Sequence, residues 1–432
     1  MRYISTRNGP EVGLEAAIMS GTAPDGGLYV PNSLPRFTPA DFAGITRIDE
    51  LATKMLAPFF AGSALEPRLA EICREAFTFD APLRTLQEGD EALSVLELFH
   101  GPTAAFKDFG ARFLAACMVR IAATRELSSP LTILVATSGD TGGAVAAAFH
   151  RKPGVRVLVL FPDGRVSSRQ QHQLTCWGDN VTSLSVKGEF DDCQRIVKEL
   201  FADQALSSKH NLCSANSINV GRLLPQSVYY ALSSLEHFRK TGEPTSYIIP
   251  TGNLGNAFAC AWAKSMGFPI DRIVLATNAN LTIPDFFRDG VWTPRASVAT
   301  LASAMDVGNP SNMERLRNLW GEADSLRARL RTFSVTDADI RSQIVAEYGH
   351  DGIAWCPHTA TAFYVYRHCL SVADRRGHWS LVATADAAKF EAIVEPLVNT
   401  LLPLPPELAR ILTLPSEFAT IEPSAAAVAA YL

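Results

Sequence analysis

The sequence has little of what a membrane protein or a nucleic-acid-binding protein needs. No apolar run approaches the length that spans a bilayer. The opening stretch MRYISTRNGPEVGLEAAIMSG lacks the apolar core and cleavage site of a signal peptide. No long lysine and arginine run occurs, and the formal net charge is -5, whereas nucleic-acid-binding surfaces are basic. We therefore expect a cytoplasmic protein whose partners include neither a membrane nor nucleic acid.

Cysteine pairs are also missing. The eight cysteines are scattered and none forms a Cys-x-x-Cys pair, the spacing that marks many zinc sites and redox motifs. His368 and Cys369 are adjacent, but no second cluster supplies further ligands. We expect reduced, mostly buried thiols, as in cytosolic proteins, and no metal site.

The patterns that are present indicate an α/β protein. Of the 432 residues, 47% are hydrophobic and 19% charged, which is typical of a globular protein with a large core. From residue 92 onward, predicted strands (ALSVLELF, LTILVAT, VRVLVLF) alternate with predicted helices (AFKDFGARFLAACMVRIAATREL, TGGAVAAAFHRK). A second alternating run begins near residue 245. Such alternation is typical of parallel sheets with crossover helices.

These runs predict two three-layer α/β/α domains with parallel sheets and a cleft between them, preceded by a helix-rich N-terminal region. The predicted boundaries are 1–95 for the N-terminal region, 96–235 for a smaller α/β domain and 236–432 for a larger one. We interpret 313–349 as helical. Ligand sites are common in clefts between domains.

A glycine-rich loop, TSGDTGG, runs from Thr137 to Gly143 between a predicted strand and a predicted helix. Its glycines let the backbone approach a ligand, and the open N–H groups of a helix start favour an anion. Ser138 and Thr141 add hydroxyl donors. An ordinary capped turn would need only one such polar residue, so we favour a ligand site.

A second loop of this kind, PTGNLGN, runs from Pro250 to Asn256. Gly252 and Gly255 open the loop, while Asn253 and Asn256 supply amide donors. The arrangement suits a phosphate at a helix N-terminus.

Nucleotide-binding alternatives fit these loops poorly. The third glycine of the dinucleotide-binding motif is absent, and the next strand, DRIVLAT, ends without the acidic residue that would bind a ribose. Neither loop has the Gly-Lys-Ser/Thr ending of a P-loop. A nicotinamide-dependent dehydrogenase is therefore disfavoured.

A third polar stretch, ANSINVGRLLPQ, precedes a predicted helix and contains Asn216, Ser217, Asn219 and Arg222. Arginine makes forked contacts with phosphate or carboxylate. An N-capped helix with a surface arginine explains the same residues, so both interpretations stay open on this stretch alone.

The stretch HGPTAAFKDFG places one lysine, Lys107, between Phe106 and Asp108. A poorly solvated amine is easier to deprotonate and can form a Schiff base with an aldehyde. The ordinary alternative is a lysine at a helix start that extends past Phe106 and Phe109 to water. We expect His100, in the same stretch, to bond to the backbone.

An amine and two anion-binding loops together match the needs of pyridoxal phosphate. This cofactor requires an amine for its aldehyde and a site for its phosphate. An amino-acid substrate then needs a carboxylate site, and a phosphorylated one needs a second phosphate site.

At this point the chain resembles the threonine synthase family, over nearly its whole length and in order. The stretches that carry the resemblance are YISTR, APDGGLYVP, HGPTAAFKDFG, TSGDTGGAVAAAF, NSINVGRLLPQ, GNLGNAFACAWAKSMG and ATNANLTIPDF. The resemblance implies the tryptophan-synthase-β-like fold, the cofactor pyridoxal 5'-phosphate, and a lyase that converts O-phospho-L-homoserine and water to L-threonine and phosphate.

The resemblance also implies a role for each matching residue. Lys107 matches the lysine that forms the Schiff base and shuttles protons. The cofactor phosphate would be held by Gly252, Asn253, Leu254, Gly255 and Asn256. The loop near the cofactor's ring oxygen and the substrate carboxylate would be Ser138, Gly139, Asp140 and Thr141. The substrate phosphate would be bound by Asn216, Ser217 and Arg222, and the pyridine nitrogen by Thr384.

The chain departs from the family in one place near this site, because Asp386-Ala387 stands where the family has His-Pro. Three other functions stay open: a phospho-lyase that releases 2-oxobutyrate and ammonia, a β-replacement enzyme, and a non-catalytic binding protein that retains the fold. The family resemblance predicts a monomer or a homodimer.

Overall fold

The computed structural model describes residues 1–125, 129–137 and 139–432. Its strands are β1 Tyr3–Ser5, β2 Tyr29–Pro31, β3 Leu83–Gln87, β4 Glu91–Glu97, β5 Leu131–Ala136, β6 Val155–Pro162, β7 Val181–Val186, β8 Leu212–Ser214, β9 Thr245–Pro250, β10 Ile270–Thr277, β11 Leu330–Ser334, β12 Gly377–Ala383 and β13 Ala419–Ile421.

The α-helices connect and cover these strands. They are α1 Leu14–Ser20, α2 Ile48–Phe60, α3 Leu69–Ala76, α4 Lys107–Ala123, α5 Asp140–Phe149, α6 Ser168–Thr175, α7 Phe190–Ala202, α8 Gln204–Lys209, α9 Val220–Thr241, α10 Gly255–Ser265, α11 Thr282–Asp289, α12 Met313–Trp320, α13 Ala323–Arg327, α14 Asp337–Asp351, α15 Pro357–Tyr364, α16 Val372–Arg375, α17 Glu391–Val398, α18 Pro406–Leu412 and α19 Ala425–Ala429. No helix in the described ranges combines the length and apolarity of a membrane span.

Two large sheets organise the chain, as the sequence predicted. One has five strands in the order β13-β7-β6-β5-β8, with every neighbouring pair parallel. The other has six strands in the order β11-β10-β9-β12-β4-β3. Its pairs are parallel except at one edge, where β3 and β4 are antiparallel. The predicted α/β class with parallel sheets is confirmed, and the antiparallel edge is an addition to it.

Strand pairing crosses the predicted domain boundaries. β3 and most of β4 precede residue 96 yet pair within the six-stranded sheet, and β13 near the C-terminus pairs with β7 of the five-stranded sheet. The division at residues 95 and 235 stays a prediction. A segment from the N-terminal region thus completes the six-stranded sheet, and a segment near the C-terminus completes the five-stranded sheet.

The interpretation of 313–349 as helical is wrong in part. Helices α12, α13 and α14 lie in this range, but β11 separates α13 from α14. β11 pairs in parallel with β10, from Ile273 opposite Leu330 to Thr277 opposite Ser334. A short edge strand with an irregular burial pattern carries little periodic signal, so its tertiary pairing was not visible in the sequence.

Successive side chains along a strand point to opposite faces of the sheet, so each sheet contributes to one core on each face. The helices packed on these two faces form the layers on either side of the sheet. In β9, Tyr247 and Ile249 belong to a large core that also contains residues of α4, α9 and α10. Ile248 points to the opposite core, with residues of α14 and α15. The large core also takes one face of the five-stranded sheet, including Ile133. Helices α4, α9 and α10 therefore belong to the core that both sheets share.

A stacked pair of histidines joins α9 to the six-stranded sheet. The rings of His237 and His378 are 3.7 Å apart, with an interplanar angle of 10°. His378 Nδ1 lies 2.7 Å from Thr245 Oγ1, and its Nε2 lies 2.8 Å from Ser94 Oγ. Burial, together with the neighbouring His237, lowers the pKa of His378 to about 3. The His378 ring is therefore neutral at neutral pH.

We predict that His378 makes the fold less stable as the pH falls. The unfolded chain binds a proton on this residue below about pH 6.5, whereas the folded chain does so only near pH 3. The free energy of unfolding therefore decreases progressively as the pH falls from about 6.5 toward 3. In His378→Gln this contribution is absent. The difference in unfolding free energy between wild type and variant should shrink by on the order of 1 kcal/mol between about pH 7 and pH 5.

Urea unfolding at both pH values measures this difference. His350→Gln is the matched control, because His350 is exposed at the end of α14. This variant shows the effect of removing a histidine that lies outside the stacked pair. A His378→Gln difference that depends on pH no more than the His350→Gln difference would contradict the prediction.

Candidate active site

A cavity of about 110 Å3 lies where α4, α5 and α10 begin; we call it the inner cavity. Parallel strands end at one edge of a sheet and the following helices start there, so helix N-termini converge on that edge. Among its lining residues are many of those singled out in the sequence: Lys107, Asp140, Thr141, Ser217, Arg222, Gly252, Asn253, Leu254, Gly255, Asn256 and Thr384.

Lys107 is the first residue of α4, and the backbone before it is fixed by the segment after β12. Ala105 pairs with Ala385, and the N–H of Phe106 donates to the Thr384 carbonyl at 2.8 Å. The Lys107 side chain is 13% exposed. The pKa of Lys107 falls to about 8 because burial disfavours its charged form. At neutral pH roughly a tenth of such amines are unprotonated, far more than for an ordinary lysine.

The glycine that follows in the same stretch has a packing role. A Cβ on Gly110 would lie 2.9 Å from the Arg222 carbonyl oxygen and 3.1 Å from Arg222 Nε. Gly110 therefore allows α4 to contact α9 closely. This contact brings the start of the Lys107 helix next to Arg222.

Asp140, the first residue of α5, is the carboxylate nearest to Lys107. Its Oδ2 lies 4.0 Å from Lys107 Nζ, and its Oδ1 lies 2.8 Å from Lys389 Nζ. Gln170 Nε2 also donates to Oδ1, at 3.1 Å. Burial works against the charged carboxylate, but Lys389 and Lys107 outweigh it and hold the pKa of Asp140 well below its usual range.

The loop between β9 and α10 has the geometry of an anion cradle. Leu254 has a left-handed backbone with φ of 63°. A Cβ on Gly252 would lie 2.6 Å from Met305 Cα. Asn256 Oδ1 accepts hydrogen bonds from Tyr229 and Tyr230, at 2.6 and 2.8 Å. The Asn256 Nδ2 is buried and has no partner among the described residues. Since the first N–H groups of α10 also have no intrahelical acceptor, the loop offers several unused donors.

Arg222 lines the inner cavity as well. It is 1% exposed, its Nη1 donates to the Ala215 carbonyl at 2.6 Å, and its Nε has no partner in the described part of the chain. Burial lowers the pKa of Arg222 to about 10, with Asp108 opposing the change. The interpretation of Arg222 as a surface arginine is therefore wrong, since it is a buried cation with an unused donor.

A wider opening of about 310 Å3 adjoins the inner cavity; we call it the outer cleft. Lys107, Thr141 and Ser217 line both spaces. Asn216 lines only the outer cleft, whereas Arg222 lines only the inner cavity. The three residues expected to bind the substrate phosphate therefore extend from the outer cleft, at Asn216, to the inner cavity, at Arg222.

The remaining predicted residues differ in position. Thr384 lines the inner cavity and is 6% exposed. Gly139 precedes α5 with φ of 137° and lines neither space. Ser138 lies outside the described residues. The Asp386 carboxylate accepts from the N–H of Ala388 at 2.8 Å, so it caps the following turn.

Two lining or neighbouring residues were not found from the sequence. His358 lines the inner cavity from α15, and its Nε2 accepts from the N–H of Ala304 at 3.0 Å. Its Nδ1 is buried without a partner in the described ranges. Burial lowers the pKa of His358 to about 4. Lys389 is fully buried beside Asp140. Neither stands in a glycine-rich loop, so no local motif marked them.

The assembled groups fit the cofactor expected from the sequence. One weakly basic amine lies beside a loop with several unused N–H donors, and buried donors on Arg222, Asn256 and His358 surround the same space. Buried polar groups are normally paired, so these open donors indicate an anionic ligand. Within residues 1–125, 129–137 and 139–432 no group of three potential metal ligands occurs.

Comparisons with known proteins agree with this geometry. The family described as "Pyridoxal-phosphate dependent enzyme" matches residues 78–378, and "Threonine synthase N terminus" matches residues 2–77. A threonine synthase of Escherichia coli is 37% identical over 407 residues, covering 94% of this chain and 92% of the relative. One of Pseudomonas aeruginosa is 35% identical, covering 98% and 97%.

Solved structures give the same result. The crystal structure of threonine synthase from Escherichia coli has a TM-score of 0.87 and 36% identity, covering 100% of this chain and 99% of that one. The pyridoxal-phosphate-bound threonine synthase from Brucella melitensis has a TM-score of 0.89 and 33% identity, covering 100% and 98%. The chain therefore belongs to the threonine synthase family of pyridoxal-phosphate dependent enzymes.

Proposed function

We propose that this protein forms L-threonine and phosphate from O-phospho-L-homoserine and water. The observation that carries the proposal is one buried, weakly basic amine at the junction of two spaces. The inner cavity has an anion cradle, and the outer cleft has polar side chains for a second anion. The threonine synthases to which the chain is similar support the choice of reaction.

The reaction moves three groups on a four-carbon amino acid. Phosphate leaves Cγ, a proton is lost from Cβ, and one is gained at Cγ to form the methyl group. The hydroxyl of water is added at Cβ while its remaining proton leaves with the phosphate. Pyridoxal phosphate supplies an electron sink for the electron pair released at Cα. The chain must supply the acid and base groups, hold both phosphates and admit one water molecule.

Lys107 carries the cofactor in this proposal and then acts as the base at Cα. Its amine takes a proton from Cα and returns it later, which requires an unprotonated amine near neutral pH. The lowered pKa of about 8, caused by burial, meets this requirement. Asp140, 4.0 Å away, stabilises the ammonium after each proton uptake.

The substrate phosphate is bound by Asn216, Ser217 and Arg222 in this proposal. Asn253 Nδ2 donates to Ser217 Oγ at 2.8 Å, which leaves the hydroxyl proton of Ser217 free for a phosphate oxygen. Arg222 offers its open Nε. Thr384 offers a neutral partner to the pyridine nitrogen, and Thr141, with the start of α5, faces the substrate carboxylate.

We also propose a cytoplasmic enzyme that works as a monomer or a homodimer. All eight cysteines are free, and seven of them are buried, which suits a compartment where thiols stay reduced. Size-exclusion chromatography with light scattering distinguishes the two oligomeric states.

The proposed reaction fixes the products and their ratio. Cofactor-loaded protein incubated with O-phospho-L-homoserine should release threonine and phosphate in equal amounts. Lys107→Ala should lower the rate by at least about 10²- to 10⁴-fold, because the base at Cα is lost. Chromatography of threonine and 2-oxobutyrate, with a phosphate assay on the same samples, measures all three.

The control is Lys240→Ala, since Lys240 is exposed and forms an ion pair with Glu236 on the surface of α9. It should match the wild type. Phosphate released with 2-oxobutyrate in place of threonine would identify a phospho-lyase. No phosphate release at all would reject the substrate.

The proposed role of Arg222 in binding the substrate phosphate can be tested separately from cofactor binding. Arg222→Lys should raise the KM for O-phospho-L-homoserine by about 10- to 100-fold, because a charge-assisted forked contact is lost. The affinity for pyridoxal phosphate should change far less. Initial-rate kinetics and a fluorescence titration of the cofactor measure the two quantities separately.

Arg315→Lys is the matched control, because Arg315 is equally buried but its three guanidinium nitrogens donate to the chain itself, at Tyr29, Ile218 and Asn312. It should lower the melting temperature without a specific rise in KM. If Arg222→Lys weakens cofactor binding and leaves KM unchanged, Arg222 binds the cofactor phosphate and the proposed role is wrong.

A further inference from the structure

Two lysines share one carboxylate in the buried part of the site. Lys389 and Lys107 both face Asp140, and the Asp140 side chain is 4% exposed. The two contacts are unequal. Lys389 Nζ lies 2.8 Å from Oδ1, whereas Lys107 Nζ lies 4.0 Å from Oδ2. The closer and stronger ion pair is therefore not the one with the lysine that carries the cofactor.

Lys389 is fixed more tightly than lysines usually are. Its side chain is 0% exposed. Besides Asp140, its Nζ donates to the Thr103 carbonyl at 2.8 Å. Burying a charged amine is costly, and an apolar residue of similar volume would often be as stable. The need for a positive charge at this position calls for an explanation beyond packing.

The surroundings of Asp140 Oδ1 are saturated. Gln170 Nε2 and Lys389 Nζ both donate to it. These two contacts hold the carboxylate group in one orientation. Lys107 is left with Oδ2 at a distance longer than a direct hydrogen bond. Without Lys389, the carboxylate would be free to turn toward Lys107 and close that gap.

Among the described residues, three charged groups influence the pKa of Lys107 in addition to its burial. Asp140 on α5 favours the ammonium form of Lys107. Lys389, after β12, and Arg222 on α9 disfavour it. His358 on α15 is neutral at neutral pH. The ring of Phe106, 5.8 Å from Nζ, completes the surroundings.

We propose that Lys389 is a positioning residue that occupies Asp140 and thereby keeps part of the Lys107 amine unprotonated at neutral pH. Lys389 acts on the reaction through Asp140 and does not touch the reacting atoms. The inference rests on the assignment of Lys107 as the cofactor-carrying base in the proposed function.

The direction of the effect follows from charge. Loss of Lys389 removes one positive charge and frees Asp140 to pair with Lys107, and both changes favour a protonated nitrogen on Lys107. An opposite charge at close range shifts a pKa by about 1 to 3 units. The protonation midpoint of the Lys107 nitrogen should therefore rise, and the enzyme should need a higher pH to work.

The test uses the cofactor-loaded enzyme and two readouts. One is the pH midpoint at which the visible absorbance of the bound cofactor changes. The other is the acid limb of the pH profile of kcat with O-phospho-L-homoserine. In Lys389→Met both should move to higher pH by about 1 unit. A role in packing alone would lower the melting temperature and leave both midpoints in place.

A double-variant comparison tests whether Asp140 transmits the effect. Asp140→Asn alone should move the absorbance midpoint to lower pH, because the stabilising carboxylate is removed. In the Asp140→Asn background, adding Lys389→Met should reproduce less than half of the rise. A full rise in that background would mean direct repulsion between the lysines and would overturn the proposal. An unchanged or lower midpoint in Lys389→Met would overturn it too.

A substitute variant and a labelling experiment separate failure to fold, and a wrong Lys107 assignment, from failure of the inference about Lys389. If Lys389→Met does not fold, Lys389→Gln replaces it, since an amide N–H can still donate to the Thr103 carbonyl. Borohydride reduction followed by peptide mass spectrometry identifies the lysine that carries the cofactor. Label on another lysine would refute the Lys107 assignment itself. Label on Lys107 with an unmoved midpoint would refute only the inference about Lys389.

Discussion

The ion pair between Asp140 and Lys389 is the constraint on which the site depends. A carboxylate that is almost fully buried needs a permanent partner, because an unpaired buried charge is expensive. Lys389 is that partner. With it in place, the inner cavity is lined by two further cations, Lys107 and Arg222, while Asp140 is the single carboxylate among the described lining residues. The resulting excess of positive charge suits a space that must receive phosphate groups.

The charged groups and the anion cradle lie together because of the way parallel strands and the following helices are arranged. Each parallel strand ends at the same edge, and the helix after it begins there. Asp140 and Gly255 are the first residues of α5 and α10, and these helices follow strands of different sheets. Lys107 starts α4, whose contact with α9 is close because Gly110 has no side chain. The cleft between the sheets is therefore surrounded by helix starts, which favour anions.

Local sequence was enough to predict part of this site and not the rest. Lys107 and the loop that ends at Asn256 could be predicted because glycines and a lysine among aromatics are visible in a few consecutive residues. Lys389 and His358 could not, since their importance comes from partners far away in the chain. β11 was missed for a related reason: its strand character depends on pairing with β10. Arg222 was ambiguous because burial by tertiary contacts decides between its two interpretations.

Buried hydrogen-bond donors without a partner occur at the inner cavity and also elsewhere among the described residues, on Arg120 and Trp355, so the convergence of several on one space matters more than any single one. Arg315 and Arg222 are both buried, but the guanidinium of Arg315 donates to three parts of the chain, whereas Arg222 lines the inner cavity and its Nε has no partner among the described residues. Nature rarely leaves a buried donor without an acceptor. The open donors on Arg222, Asn256 and His358 all belong to residues that line one cavity. Their convergence supports the proposal that an anionic cofactor and substrate complete the hydrogen bonding of this part of the chain.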